Sequence, residues 1–161
     1  MIYSKLVQFI EQNQAELVKR SVKDLLSREE TGSYKAVPEE LLTERVNDVY
    51  SRLTAWLNKE RRASETEKYY HELGKRRFQE GIPVSEVMLA FMLLKRNLWL
   101  FVTEKHFFDS TYERYQALEM NNKVVLFFDK VIHFAVTGYE NEVLEASRKK
   151  GGVFSKVIKK K

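Results

Sequence analysis

Three histidines, His71, His106 and His133, and no cysteine occur in 161 residues, so metal or nucleophile chemistry would have to be built from very few groups. Glu67 with His71, and Asp129 with His133, are pairs four residues apart, a spacing that puts both side chains on one helix face. Such pairs suit local ion pairs; half a metal site would need a second cluster, and none completes four ligands. A haem needs an axial ligand, and the spacing around the histidines supplies no recognisable axial motif. There is no His-Glu-x-x-His and no phosphate-cradling glycine loop. A Gly-x-Ser-x-Gly nucleophile turn is also missing. The residues give enzymatic activity no positive support, and no cofactor or metal is expected.

With no cysteine, disulfides and thiolate sites are excluded, and a reducing cytoplasm is compatible. The N-terminus, Met1-Ile2-Tyr3-Ser4-Lys5, lacks a basic segment followed by an apolar stretch, so a secretory signal is not expected. The net charge of +5 invites a nucleic-acid reading, but seven of the 28 basic residues lie in residues 148–161, which hold no acid. Residues 1–147 therefore carry 21 bases against 23 acids. A duplex-binding domain carries its basic face on the folded body, so no nucleic-acid partner is expected.

Hydrophobic residues make up 43 % of the chain, enough to fill a core, and two prolines and six glycines are few for an all-β chain. Helical spacing of apolar residues runs from Ile2 to Leu26 and stops in polar residues from Ser27 to Ser33. Val37-Pro38 opens a second helix, with Pro38 suited to its first position, and Leu42, Val46, Val49, Tyr50, Leu53, Trp56 and Leu57 form its stripe. Ser64-Glu65-Thr66-Glu67 has the capping-box pattern and opens a third. That helix should bury Tyr70, Leu73, Gly74 and Phe78, with Lys75, Arg76, Arg77 and Glu80 outside. Gly81 suits the left-handed residue past a helix end and Pro83 the first turn of the next helix, which makes a sharp corner. A second capping box, Ser110-Thr111-Tyr112-Glu113, opens a long stretch to Lys150, with a candidate break at Asn121-Asn122 and a stop at Gly151-Gly152. The reading is all-α, five or six helices in a single domain over residues 1–150, with a basic C-terminal tail at 151–161.

The run from Val87 to Leu94 is apolar on every side but only eight residues long before Lys95-Arg96-Asn97. A membrane span needs about 20 such residues, so the run reads as a central helix packed on several sides, with Lys95 and Arg96 at its wet edge. Met88 and Met92, four apart, fit either an adaptable cavity or ordinary core gaps. Tyr70, Met88, Phe91, Met92 and Trp99 are the candidate lining of a small ligand pocket.

Three stretches carry a family pattern: His71-Glu72-Leu73-Gly74-Lys75-Arg76-Arg77-Phe78, then Glu80-Gly81-Ile82-Pro83-Val84-Ser85-Glu86-Val87, then Leu94-Lys95-Arg96-Asn97-Leu98-Trp99. This succession of Leu-Gly, basic cluster, glycine corner and apolar-Lys-Arg helix resembles the N-terminal domain of RsbT co-antagonist (RsbRD-type) proteins. The detailed match covers about thirty residues. The resemblance implies a bacterial, globin-like helical sensory or regulatory domain, usually dimeric and generally without haem; the alternatives are a haem- or gas-binding globin-like sensor and a structural adaptor anchored by its basic tail. The family's phosphorylatable output domain is expected downstream, whereas only a basic segment follows Ala146. A signal is then expected to leave through a protein partner of a signalling pathway, through the tail or through oligomerisation.

Phe127 and Phe134, seven apart beside the stripe of the last long helix, with Leu126 and Val136, give that helix more apolar cover than one bundle face needs. Either it runs through the middle, or its second face meets another subunit. The expectation is a homodimer through Phe127, Phe134 and Gly138, the glycine permitting close approach. Val153, Phe154, Val157 and Ile158 alternate with lysines in the tail, a pattern fit for peripheral contact with an anionic membrane, an acidic partner, or a frayed solubilising end.

Overall fold

The apolar spacing is realised as five α-helices and one 3-10 segment in a computed structural model that describes residues 2–158 except 61, 106 and 109, with side chains described over 5–151. In chain order these are α1 (Ile2–Ser27), the 3-10 segment (Glu29–Ala36), α2 (Glu39–Leu57), α3 (Ala63–Gln79), α4 (Val84–Glu104) and α5 (Thr111–Ile158). No strand occurs among the described residues, and one core joins all the helices. The predicted all-α, single-domain bundle is what the chain forms.

α4 is the innermost element. Val87, Ala90, Phe91, Leu93, Leu94, Leu98, Phe101 and Val102 are buried around more than one side of it, because α1, α3, α5 and the 3-10 segment all pack against it. Asn97 is buried too: its Nδ2 donates to the Leu93 carbonyl at 2.8 Å and to Asp24 Oδ2 of α1 at 2.9 Å. Among the described residues no helix is long and apolar enough to cross a membrane.

The corner between α3 and α4 forms as the sequence predicts. Gly81 has φ +76°, its N–H donates to the Phe78 carbonyl, and the Ile82 N–H donates to the Arg77 carbonyl. These are the paired bonds of a left-handed helix stop. Ile82 is buried as that motif requires, and the Tyr139 hydroxyl of α5 donates to its carbonyl at 2.7 Å. The capping box at Ser110 is also made, with the Glu113 N–H donating to Ser110 Oγ at 3.1 Å and the Ser110 N–H to Glu113 Oε2 at 3.2 Å.

α3 and α5 make the most extensive helix pairing in the molecule. They touch backbone to backbone: a Cβ added at Gly74 would overlap the Ala135 carbonyl, and one added at Gly138 would overlap the His71 carbonyl. Gly138 does permit close helix approach, but to α3 of its own chain.

Several local expectations are corrected. α3 starts at Ala63 with Arg62 at its N-cap, so Ser64 lies inside the first turn and caps nothing. Pro38 and Pro83 sit at N-cap positions, one residue before the first helical residue. Arg77 is buried rather than outside. α5 passes Asn121-Asn122 unbroken and runs through Gly151-Gly152 to Ile158, because a glycine costs a helix only ~1 kcal/mol and stops it only when the chain turns left-handed there. Phe127 packs on Trp56, Tyr70 and Phe128 with ring centroids 5.7, 6.3 and 5.3 Å away, so α5 runs through the middle at this point. Phe127 and Gly138 are therefore not a free dimer face; of the three residues expected there, only Phe134 retains surface.

Glycine-to-alanine in a helix ordinarily stabilises by ~0.5–1 kcal/mol. Gly74→Ala and Gly138→Ala should instead each destabilise by at least about 2 kcal/mol in urea, because the backbone contact must open. Gly151→Ala, where nothing lies within 4 Å of the added carbon, should be neutral or slightly stabilising.

Candidate functional site

Thr66, Tyr70, Leu73 and Arg77 follow each other on α3 at spacings of four, three and four, and all are buried. The fourth position of an apolar stripe thus carries a guanidinium. At 7 % exposure Arg77 is held inside the bundle where α3 meets α2, α4 and the 3-10 segment. Its Nη1 donates to Glu80 Oε1 at 3.3 Å, a long contact and its one side-chain hydrogen bond among the described residues. Glu80 is already engaged by Arg45 of α2, whose Nη2 and Nη1 donate to its two oxygens at 2.6 and 3.0 Å. One carboxylate is shared by two guanidinium groups. Burial and the neighbouring Arg45 charge both push the Arg77 pKa down.

The two arginines and Tyr34 line a cavity of about 40 Å³ whose other walls include Leu42, Val49, Leu73, Val87, Ala90 and Phe91. Burial raises the Tyr34 pKa to about 12 despite the nearby arginines, so its hydroxyl stays protonated and is a donor. A larger opening of about 810 Å³ lies between α1 and α2 over Val18, Val22 and Leu26, with Lys23 and Glu44 on opposite walls; it is open to solvent.

The five residues expected to line one pocket are not brought together. Tyr70 and Phe91 meet edge-on, with centroids 5.9 Å apart, and Phe91 continues into the wall of the small cavity. Met88 is half-buried, and Met92 is 41 % exposed on the outer side of α4. Trp99 lines a shallow surface cleft with Arg20, Arg96 and Leu100, its indole N–H shielded without a hydrogen-bond partner among the described residues. The histidine pairs are not made either. Asn141 Nδ2 stands 2.9 Å from His71 Nε2, and Asp129 faces Lys95 at 3.9 Å instead of His133. His106 lies outside the described residues, as do Lys159 to Lys161 of the tail. Among the described residues no three His, Asp or Glu could hold a metal ion together.

Sequence reasoning missed Tyr34, Arg45, Arg77 and Glu80. The signal was present for Arg77, whose register on α3 is that of a core position. Its charge concealed it.

A second polar device ties α4 to its neighbours and is plainly structural. The buried Tyr50 hydroxyl donates to the Leu94 carbonyl at 2.8 Å and lies 2.9 Å from Ser21 Oγ. The two devices should respond oppositely to mutation. Tyr50→Phe should destabilise by about 1–2 kcal/mol, since it leaves buried partners unmet. Arg77→Met should change unfolding free energy by less than about 1 kcal/mol, since Glu80 keeps both bonds to Arg45 and a costly buried charge is removed. The raised Tyr34 pKa also sets an alkaline limit. An unfolded tyrosine loses its proton near pH 10 while folded Tyr34 holds it to about 12. The Tyr34 contribution to stability in urea should therefore be constant below pH 10 and fall as pH rises from 10 to 12.

The profile of the RsbT co-antagonist protein rsbRD N-terminal domain matches residues 15–151. Comparison with curated proteins and with solved structures returns no significant match. The match spans the Leu73-Gly74 crossing, the Gly81 corner and α4, which are the parts that position the cavity and α5. The chain belongs to the RsbT co-antagonist rsbRD N-terminal domain family, a family of regulatory sensory domains.

Proposed function

We propose that this chain is a non-enzymatic, globin-like sensory module of a bacterial signalling pathway, whose helical body holds a small ligand and whose long helix carries the response to a second copy or a protein partner. The observation that carries this reading is the state of α5. At about 1.5 Å per residue its 48 residues extend about 72 Å. Met120, Val124, Phe127, Phe128, Val131 and Ala135 are gripped by the bundle. Both flanks expose apolar side chains: Tyr112, Tyr115 and Leu118 before the grip, Val143 and Leu144 after it. A helix gripped at its middle, with exposed apolar side chains on either side, converts a small shift of the body into a displacement at a partner's surface.

A second copy is the simplest occupant of those apolar positions. With Phe127 and Gly138 committed to the core, the contact falls to Leu126, Phe134 and Leu144. The basic segment from Arg148 onward offers a further contact, to an anionic membrane or an acidic partner. A cysteine-free chain suits a reducing cytoplasm, where we place the module. Among the described residues no cluster favours the haem-sensor reading over this one.

Light scattering of the protein at tens of micromolar tests the assembly. The mass should be twice 19.1 kDa, and Leu144→Glu should return it to 19.1 kDa with unchanged helix content. A wild-type monomer at that concentration contradicts the dimeric part of the proposal.

A further inference from the structure

We propose that the cavity lined by Arg77 binds a small monocarboxylate, an anion with an apolar tail of one or two carbons. This deepens the sensory reading above and rests on it, since it names the chemistry of the ligand. Of the twelve residues lining the cavity, nine are apolar, two are arginines and one is a tyrosine; none is acidic. The carboxylates nearby are engaged elsewhere: Glu80 with Arg45 and Arg77, and Glu86 with the Ser33 N–H at 3.0 Å. The Tyr34 hydroxyl makes no hydrogen bond among the described residues, and Arg77 makes only the long one to Glu80. Donors that line one cavity and outnumber the acceptors beside them suit an anion.

The remaining features select the class. A guanidinium presents its N–H groups in a planar fork, which a carboxylate matches with two parallel bonds. A second carboxylate beside Arg77 would give each arginine its own partner and relieve the shared Glu80. Tyr34 would supply a third, neutral donor. The walls behind these groups are the side chains of Leu42, Val49, Leu73, Val87, Ala90 and Phe91, which accept methylene groups and reject a hydrated ion. A single water needs about 10–15 Å³ of such space, so 40 Å³ admits roughly three water-sized groups. That suits only the shortest monocarboxylates, acetate and propionate, and is too small for a nucleotide, a sugar phosphate or a long-chain fatty acid. The site also lies where binding would be felt: Arg77 accepts the Ile82 N–H at its carbonyl, and the Ile82 carbonyl takes the Tyr139 hydroxyl of α5.

The test titrates the full chain with sodium propionate, sodium phosphate and sodium chloride at equal ionic strength. It follows melting temperature and propionate binding by calorimetry, and the oligomeric state by light scattering on the same samples. Propionate should bind saturably and raise the melting temperature, with phosphate no better than chloride. Arg77→Met should weaken propionate binding at least tenfold and Tyr34→Phe several-fold, both with native helix content. Should Arg77→Met fail to fold, Tyr34→Phe decides. Equal shifts by propionate and phosphate, or propionate binding unaltered in the folded variants, overturn the assignment. Loss of the carboxylate site with the dimer intact removes this inference alone, whereas a monomer in every sample removes the dimeric reading beneath it.

Discussion

The contact between the backbones of α3 and α5 governs the rest of the molecule. At Gly74 and Gly138 no side chain separates the helices, so carbonyl oxygens of each lie where a Cβ of the other would be. Such closeness brings dispersion and weak Cα–H···O contacts that larger residues would forbid. It also fixes the axial position of α5, since sliding either helix by one residue would drive a Cβ into a carbonyl. Tyr70 on Phe127, Phe78 on Tyr139 and the Tyr139 hydroxyl on Ile82 all follow from that register. The corner at Gly81 is consequently tied to α5 as well as to α3 and α4.

A second constraint comes from the polar groups that the bundle buries. Tyr50 with Leu94 and Ser21, and Asn97 with Asp24 and Leu93, are well-matched pairs that orient α1, α2 and α4 around one another. They are short, and each satisfies an atom that would otherwise be costly. Arg77 differs in kind. It is nearly as buried, yet it shares a single carboxylate with Arg45 at the longer of the contacts. A fold built for stability alone would place methionine or leucine there. The unequal treatment of these buried groups sets Arg77 apart from the pairs that hold the bundle together.

Much of this was legible in the residues. The three-four alternation of α2 from Leu42 to Leu53, the Gly81-Pro83 corner and the Ser110 capping box reappear as structure because each depends on local chemistry. The Leu73-Gly74 to Trp99 pattern pointed to the family that the match over residues 15–151 establishes. What was not legible depends on neighbours distant in sequence. Phe127 looked surplus to the stripe of α5 because the helix is covered by α2, α3 and α4 together, and a single periodicity cannot reveal three partners. Gly138 was rightly associated with close approach but given the wrong partner. Gly151-Gly152 looked like a stop because two poor helix formers are adjacent, but a stop also needs a left-handed turn with its carbonyls capped. Arg77 was assigned by charge when its register, four after Leu73, should have prevailed.

The proposed signalling role rests on α5 being clamped at its centre by α3 and more exposed along its flanks. Amide hydrogen exchange along α5, at a dilution where the protein is monomeric, measures this directly. Amides from Val124 to Tyr139 should exchange only through global unfolding, whereas those of residues 112–118 and 143–150 should exchange orders of magnitude faster. Uniform protection along the helix, or a central segment that exchanges as fast as its ends, would contradict the clamp.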